Sequence, residues 1–125
     1  YDDSFAAGLM EAAALAWTDR TRVMLVAYDL PPPFPLSECR AIVAPFAVAL
    51  ALNPAPTGRR LATLRLTRNA ERPASRLDDP QLEALRLGNP AARSLPLLRA
   101  IAHSIASRVT LSTGESGGLE LEIEP

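Results

Sequence analysis

The sequence predicts a layered α/β domain, because helical and strand patterns alternate along most of the chain. An apolar segment at 4–18 has helical character, and strand patterns follow at 22–29, 43–53 and 61–68. The length of 125 residues suits one domain. We therefore expect a single domain, residues 1–125, in which the first helix packs against a mixed sheet built from these three strands.

The composition excludes two classes of partner. All 13 basic residues are arginines, and 14 acidic residues balance them to a formal net charge of −1. This balance provides no basic surface for nucleic acid and no electrostatic reason to dock on a membrane. No apolar run reaches the roughly 18 residues that a membrane-spanning helix needs. The single cysteine, Cys39, cannot form an internal disulfide, and no signal peptide is recognised, so the expected compartment is the cytoplasm.

The first segment is predicted to be a helix that begins after an N-cap at Ser4 and stops near Asp19 and Arg20. Its apolar side chains surround the helix axis, which is typical of a helix buried on most sides. Small residues at 6–8 and 12–14 leave room for another backbone to approach closely. We therefore expect another element to pack against this small-residue face.

The next strands are predicted from apolar and alternating runs. Residues 23–27 are continuously apolar between charged ends, the pattern of a strand covered on both faces. A helix followed directly by such a strand is half of a βαβ unit, and the missing strand is expected before Tyr1. The prolines of 31–35 require a loop. The runs at 43–53 and 61–68 suit an antiparallel hairpin.

The C-terminal part is predicted to hold two helices and a hairpin. Asp79 is expected to cap a helix over 80–87, and Ser94 is expected to cap the last helix. Alternation at 108–114 and 118–125 predicts a final strand pair. The glutamates of its last strand are expected to form a solvated face.

The single cysteine and the single histidine are the candidates for a nucleophile and its base, Cys39 and His103. No local signature supports this pair, and the alternative is a small buried thiol with a histidine on a helix surface. One cysteine and one histidine do not make a structural zinc site, and Asp78 and Asp79 are better explained as a helix cap. The glycines of 114–118 indicate a turn, since no lysine or helix follows them. The residues alone therefore predict no self-contained active site, no metal and no cofactor.

Four segments resemble a known family. They are DDSFAAGLMEA, VMLVAYDLPPP, PFAVALALNP and NPAARSLPLLRAIA. Together these segments resemble the ketoacyl-synthase-like proteins of the thiolase fold, in the short branch called chain-length-factor-like that accompanies type II fatty-acid or aryl-polyene synthesis genes. The resemblance implies a thiolase-like layered α/β unit with a mixed sheet. It also implies that 1–125 is the C-terminal part of a longer protein and lacks the N-terminal strands.

The resemblance places Phe5 where active ketosynthases carry their nucleophile. In those enzymes the matching segment reads approximately D-T-A-C-S-S-G-L. D-T-A falls on Asp2, Asp3 and Ser4, and G-L falls on Gly8 and Leu9. Phenylalanine at the cysteine position cannot carry an acyl group. No motif matches the two histidines of active relatives, and His103 does not stand in for either.

The resemblance implies a non-catalytic subunit that partners an active β-ketoacyl synthase in fatty-acid or polyene biosynthesis. The implied partners are a ketosynthase-like chain or a second copy, together with an acyl carrier protein. If the preceding half of the fold is absent, such a chain is expected to cover the small-residue face of helix 4–18. Two alternatives stay open: a thioester-using condensing enzyme with Cys39 as nucleophile, and an assembly module without acyl chemistry.

Overall fold

The structure, a computed structural model, describes residues 2–55, 58–69, 71–114 and 117–125. The helices are α1 (Ser4–Asp19), α2 (Leu36–Cys39), α3 (Pro80–Gly88) and α4 (Leu95–Ala102), with a 3₁₀ turn at Ala91–Ser94. The strands are β1 (Val23–Asp29), β2 (Phe46–Leu52), β3 (Thr63–Asn69), β4 (Ser107–Ser112) and β5 (Gly118–Glu124). No helix in the described part of the chain is long and apolar enough to cross a membrane.

The described strands form two antiparallel sheets. In the first sheet β1 pairs with β2, and Val26 lies opposite Ala49. In the second sheet β5 lies between β3 and β4, and Leu121 lies opposite both Leu66 and Val109. One face of each sheet packs against the same hydrophobic core.

The α/β class predicted from the sequence is confirmed, but the predicted strand pairing is not. The hairpin expected between 43–53 and 61–68 is wrong, because β2 pairs with β1 and β3 pairs with β5. The described strands accordingly form two antiparallel sheets in place of one mixed sheet. An alternating pattern alone does not determine which strand pairs with which. The pairing follows from which leucines can share one buried face, as Leu66 and Leu121 do across β3 and β5.

A second correction concerns the two faces of β1. The apolar run at 23–27 predicted a strand covered on both sides, but burial alternates along β1. Val23, Leu25 and Ala27 are half-buried, whereas Met24 and Val26 are exposed. The strand is apolar throughout, and only one of its faces is covered.

The core is built around α1 and the second sheet. Phe5 and Leu9 are fully buried and meet Leu97 of α4 and the inward side chains of β4 and β5. The buried core residues are Phe5, Ala6, Leu9, Leu97, Val109, Leu111, Leu119, Leu121 and Ile123. Half-buried side chains of β1, β2 and β3 pack on the same cluster. Helix α1 is therefore held by both sheets.

Helix α1 has the small-residue face that its sequence predicted. A Cβ at Gly8 would lie 3.2 Å from Cδ1 of Leu25, so glycine lets the helix approach β1 closely. Ala6 and Ala12 of this face are buried within the chain itself. The expectation that another chain covers this face is therefore corrected for these two residues. The predicted cap is also corrected, because Asp3 occupies the N-cap position and its side chain makes no capping hydrogen bond.

The predicted cap of α3 is confirmed. The Asp79 carboxylate accepts hydrogen bonds from the backbone N–H groups of Gln81 at 2.8 Å and Leu82 at 3.0 Å. Ser94 stands at the N-cap position of α4, but its hydroxyl donates to the carbonyl of Ala91 at 2.7 Å and does not cap the helix. The preceding 3₁₀ turn explains this difference, because its carbonyl lies within reach of the hydroxyl.

Two polar side chains, one fully buried and one half-buried, fasten the first sheet to the turn before α4. Asn89 is fully buried, accepts from the N–H of Val43 at 3.3 Å and donates to the carbonyl of Ala44. The Asp29 carboxylate accepts from the N–H of Ala91 at 2.6 Å. Because these bonds join distant parts of the chain, they fix the position of β1 and β2 relative to the core.

The carboxylate of Glu83 makes the stability of the fold depend on pH. It accepts hydrogen bonds from the Arg86 guanidinium at 2.6 and 2.7 Å and from the N–H of Leu77 at 3.0 Å. These donors, Arg86 first, lower the pKa of Glu83 from 4.5 to about 2. A lowered pKa stabilises the fold above about pH 4.5, and this contribution is lost as the pH falls toward about 2.

We therefore expect Glu83→Gln to destabilise the protein most at neutral pH. The difference in unfolding free energy from wild type should shrink as the pH falls from about 4.5 to about 2. Urea denaturation at a series of pH values measures it. Glu11→Gln is the matched control, because Glu11 is exposed and forms no ion pair within the described residues. A Glu83→Gln difference that stays constant over this range would contradict the assignment.

Candidate functional site

The N-terminal end of α1 is the position that the sequence singled out. Phe5 is the second residue of the helix and is 1% exposed. Its ring belongs to the core cluster with Leu9 and Leu97. A helix N-terminus favours a thiolate. The Phe5 side chain carries no ionisable group, and at this position it serves as a packed core residue.

Charged residues next to this end of α1 are paired with one another. Asp2 forms ion pairs with Arg40 at 3.2 Å and with Arg93 at 3.8 Å. A small cleft beside Ala6 is lined in part by Asp3, Arg86 and Arg93, and neither the cysteine nor the histidine reaches it. The described surroundings of Phe5 therefore offer neither a thiol nor an imidazole.

Cys39 and His103 lie on separate elements. Cys39 is the last residue of α2 and is exposed, so the interpretation as a small buried thiol is wrong. His103 is exposed at the C-terminal end of α4, as expected for a histidine on a helix surface. No hydrogen bond joins the two side chains in the described structure. Cys39 is thus a free, accessible thiol without an assembled base.

The described residues contain no group of three or more histidine, cysteine or acidic side chains that could hold a metal ion. The turn predicted at 114–118 is described only at its ends, because residues 115 and 116 lie outside the described residues. At those ends the N–H of Thr113 donates to the carbonyl of Gly117 at 3.0 Å, and Gly114 has φ +102°. These features are those of a tight connection between β4 and β5.

Of the three glutamates of β5 that the sequence predicted to form a solvated face, only Glu124 is exposed. Glu120 is buried and pairs with Arg72 at 3.3 Å and Arg108 at 3.6 Å. Glu122 pairs with Arg108 at 2.8 Å and with Arg65 at 3.6 Å. The arginines on neighbouring segments neutralise this face, and cross-strand pairs of opposite charge stabilise the sheet.

Sequence reasoning missed a second surface, the outer face of β1 and β2. On β1 its side chains are large, and Met24, Val26 and Tyr28 are 69%, 55% and 69% exposed. On β2 the residues directly opposite are Ala51, Ala49 and Ala47. We call these six residues the hairpin face. None of the six residues is charged. The face is therefore an exposed apolar surface in which a row of large side chains lies beside a row of alanines. The alternation of large and small residues between the two segments was the signal available in the sequence.

The chain thus combines a layered α/β architecture with an inert aromatic ring at the helix N-terminus and an uncovered apolar sheet face. The model of the β-ketoacyl synthase N-terminal domain matches residues 1–115, and the chain belongs to this family. No curated protein and no solved structure matches it. The resemblance to the β-ketoacyl synthase family and the thiolase-like α/β class predicted from the sequence are both confirmed.

Proposed function

We propose that this protein is a non-catalytic ketosynthase-like subunit, of the chain-length-factor-like kind, that acts with an active β-ketoacyl synthase in fatty-acid or polyene biosynthesis. The observation that carries the proposal is the burial of Phe5, which is 1% exposed. The resemblance places this residue at the family's nucleophile position. Such a subunit works in the cytoplasm, where its single thiol stays reduced.

The chemistry of acyl transfer supports this role. A condensing enzyme needs a nucleophile that displaces a thiol from an acyl thioester, and a low-pKa cysteine at a helix N-terminus serves that purpose. A phenyl ring has no lone pair to offer. Because Phe5 is enclosed by the core, an incoming thioester also has no access to its side chain. The catalytic cysteine must then come from the partner, and this chain helps to shape the space that binds the acyl chain.

The hairpin face supports association with a partner. Exposed Met24, Val26 and Tyr28 form an apolar row on the face of the two-stranded sheet that does not pack against the core. Large uncharged patches mark interaction surfaces. We propose that the ketosynthase partner covers this face, while an acyl carrier protein delivers the substrate to the partner's cysteine.

Co-purification tests the proposal. The tagged protein is co-expressed with a cysteine-bearing β-ketoacyl synthase, and the two chains are expected to elute together in fixed stoichiometry. If this protein stayed monomeric and showed condensing activity on its own, the proposal would be contradicted. Recovery of a homodimer without the synthase would assign the hairpin face to a second copy.

One observation favours a second candidate, a condensing enzyme that uses Cys39. The thiol is exposed and can reach a thioester in solution. No base contacts it in the described structure, and this places the candidate second. A third interpretation, an assembly module without acyl chemistry, predicts that pull-down from cells recovers neither a synthase nor a carrier protein.

A further inference from the structure

A groove runs between the 75–77 segment, α4 and β4, far along the chain from Phe5. Leu77, Pro96 and Val109 are buried apolar residues that line it. The groove has a volume of about 310 Å³, at the lower end of the range of about 300–1,000 Å³ that small-molecule sites occupy. Its lining is therefore suited to hydrocarbon.

The rim of the groove is cationic. Arg76, Arg99, Arg108 and His103 all line it. Arg99 is engaged by the carboxylate of Asp78 at 3.0 Å, and Arg108 is engaged by the glutamates of β5. Arg76 is exposed. Its charge contributes to the lowered pKa of Glu83, but no described carboxylate lies within ion-pair distance of its guanidinium. Its guanidinium thus retains its hydrogen-bond donors for a ligand.

We propose that this groove binds an amphipathic anion, with an oxyanion headgroup on Arg76 and a short aliphatic tail over Leu77, Pro96 and Val109. A guanidinium binds carboxylate or phosphate through two parallel hydrogen bonds. His103 adds a donor at the same rim. Each methylene of the tail that leaves water strengthens binding by up to about fourfold. This site shares none of these residues with the hairpin face or with Phe5.

Backbone-amide NMR titration of the chain tests the site with octanoate and octyl phosphate as probes. We expect saturable shifts in 75–77, α4 and β4, and the tighter of the two probes identifies the headgroup. Octanol and acetate, which supply the tail or the headgroup alone, should each bind at least about tenfold more weakly.

Arg76→Gln should weaken octanoate binding by about tenfold or more. Arg68→Gln is the matched control, because Arg68 is an exposed arginine of β3 outside the groove. The affinity of this variant for octanoate should stay within about twofold of wild type. The spectra of both variants also report whether the fold is retained. Equal binding of octanol and octanoate, equal effects of the two variants, or shifts confined to the hairpin face would each overturn the proposal.

Discussion

Phe5→Ala lowers the free energy of unfolding by about 3–5 kcal/mol. The ring is 1% exposed and packs with fully buried Leu9 and Leu97, so its removal leaves a cavity that the surrounding core cannot close. Against a typical total of about 5–15 kcal/mol, this loss brings the protein close to unfolding. Urea denaturation followed by circular dichroism measures the change.

Phe34→Ala is the matched control for this substitution. It removes the same side chain from the proline loop, where Phe34 is 75% exposed, and should change the unfolding free energy by no more than about 0.5 kcal/mol. Equal effects of the two substitutions would contradict the assignment of Phe5 to the core. A large difference would establish that Phe5 is a structural residue of the core.

Val26→Asp should weaken association with the ketosynthase partner by at least about 30-fold, or ~2 kcal/mol, the scale of an interface hot spot. Val26 lies in the middle of the hairpin face between Met24 and Tyr28. A carboxylate there would lose its water on binding and find no described cation on its own face. The affinity of the purified chains, measured by calorimetry, reports the change.

Thr67→Asp provides the control for Val26→Asp. Thr67 is an exposed residue of β3, so the same charge is placed on a strand outside the hairpin face. We expect the affinity of Thr67→Asp for the ketosynthase partner to match that of the wild type. Denaturation midpoints of both variants establish that they fold. Undiminished association of a folded Val26→Asp variant would show that the partner binds elsewhere.

The positions of the helices and strands, apart from the short helix α2, could be predicted from the sequence, but the strand partners could not. Periodicity and turn residues act locally, and they located α1 and its stop at Asp19, together with α3 and its cap at Asp79. Pairing joins residues far apart in sequence. The alternating pattern of 61–68 fits β2 and β5 equally well, and only the shared core selects β5.

For the candidate site, the family resemblance predicts only that Phe5 stands at the nucleophile position. The burial of Phe5 could not be predicted, because it depends on side chains of α4 and β5 that the local sequence does not specify. The uncovered face of β1 was missed because an entirely apolar strand lacks the polar residues that mark a solvent-facing side. Cys39 was expected to be buried, as free cysteines commonly are, but α2 contributes no buried residue.

The most direct test of the proposed function is the intact mass of both chains after the co-purified complex is incubated with an acyl thioester. The proposal predicts an acyl group on the cysteine of the ketosynthase partner and an unchanged mass for this chain. Stable acylation of this chain, mapped to the peptide that contains Cys39, would contradict a non-catalytic role.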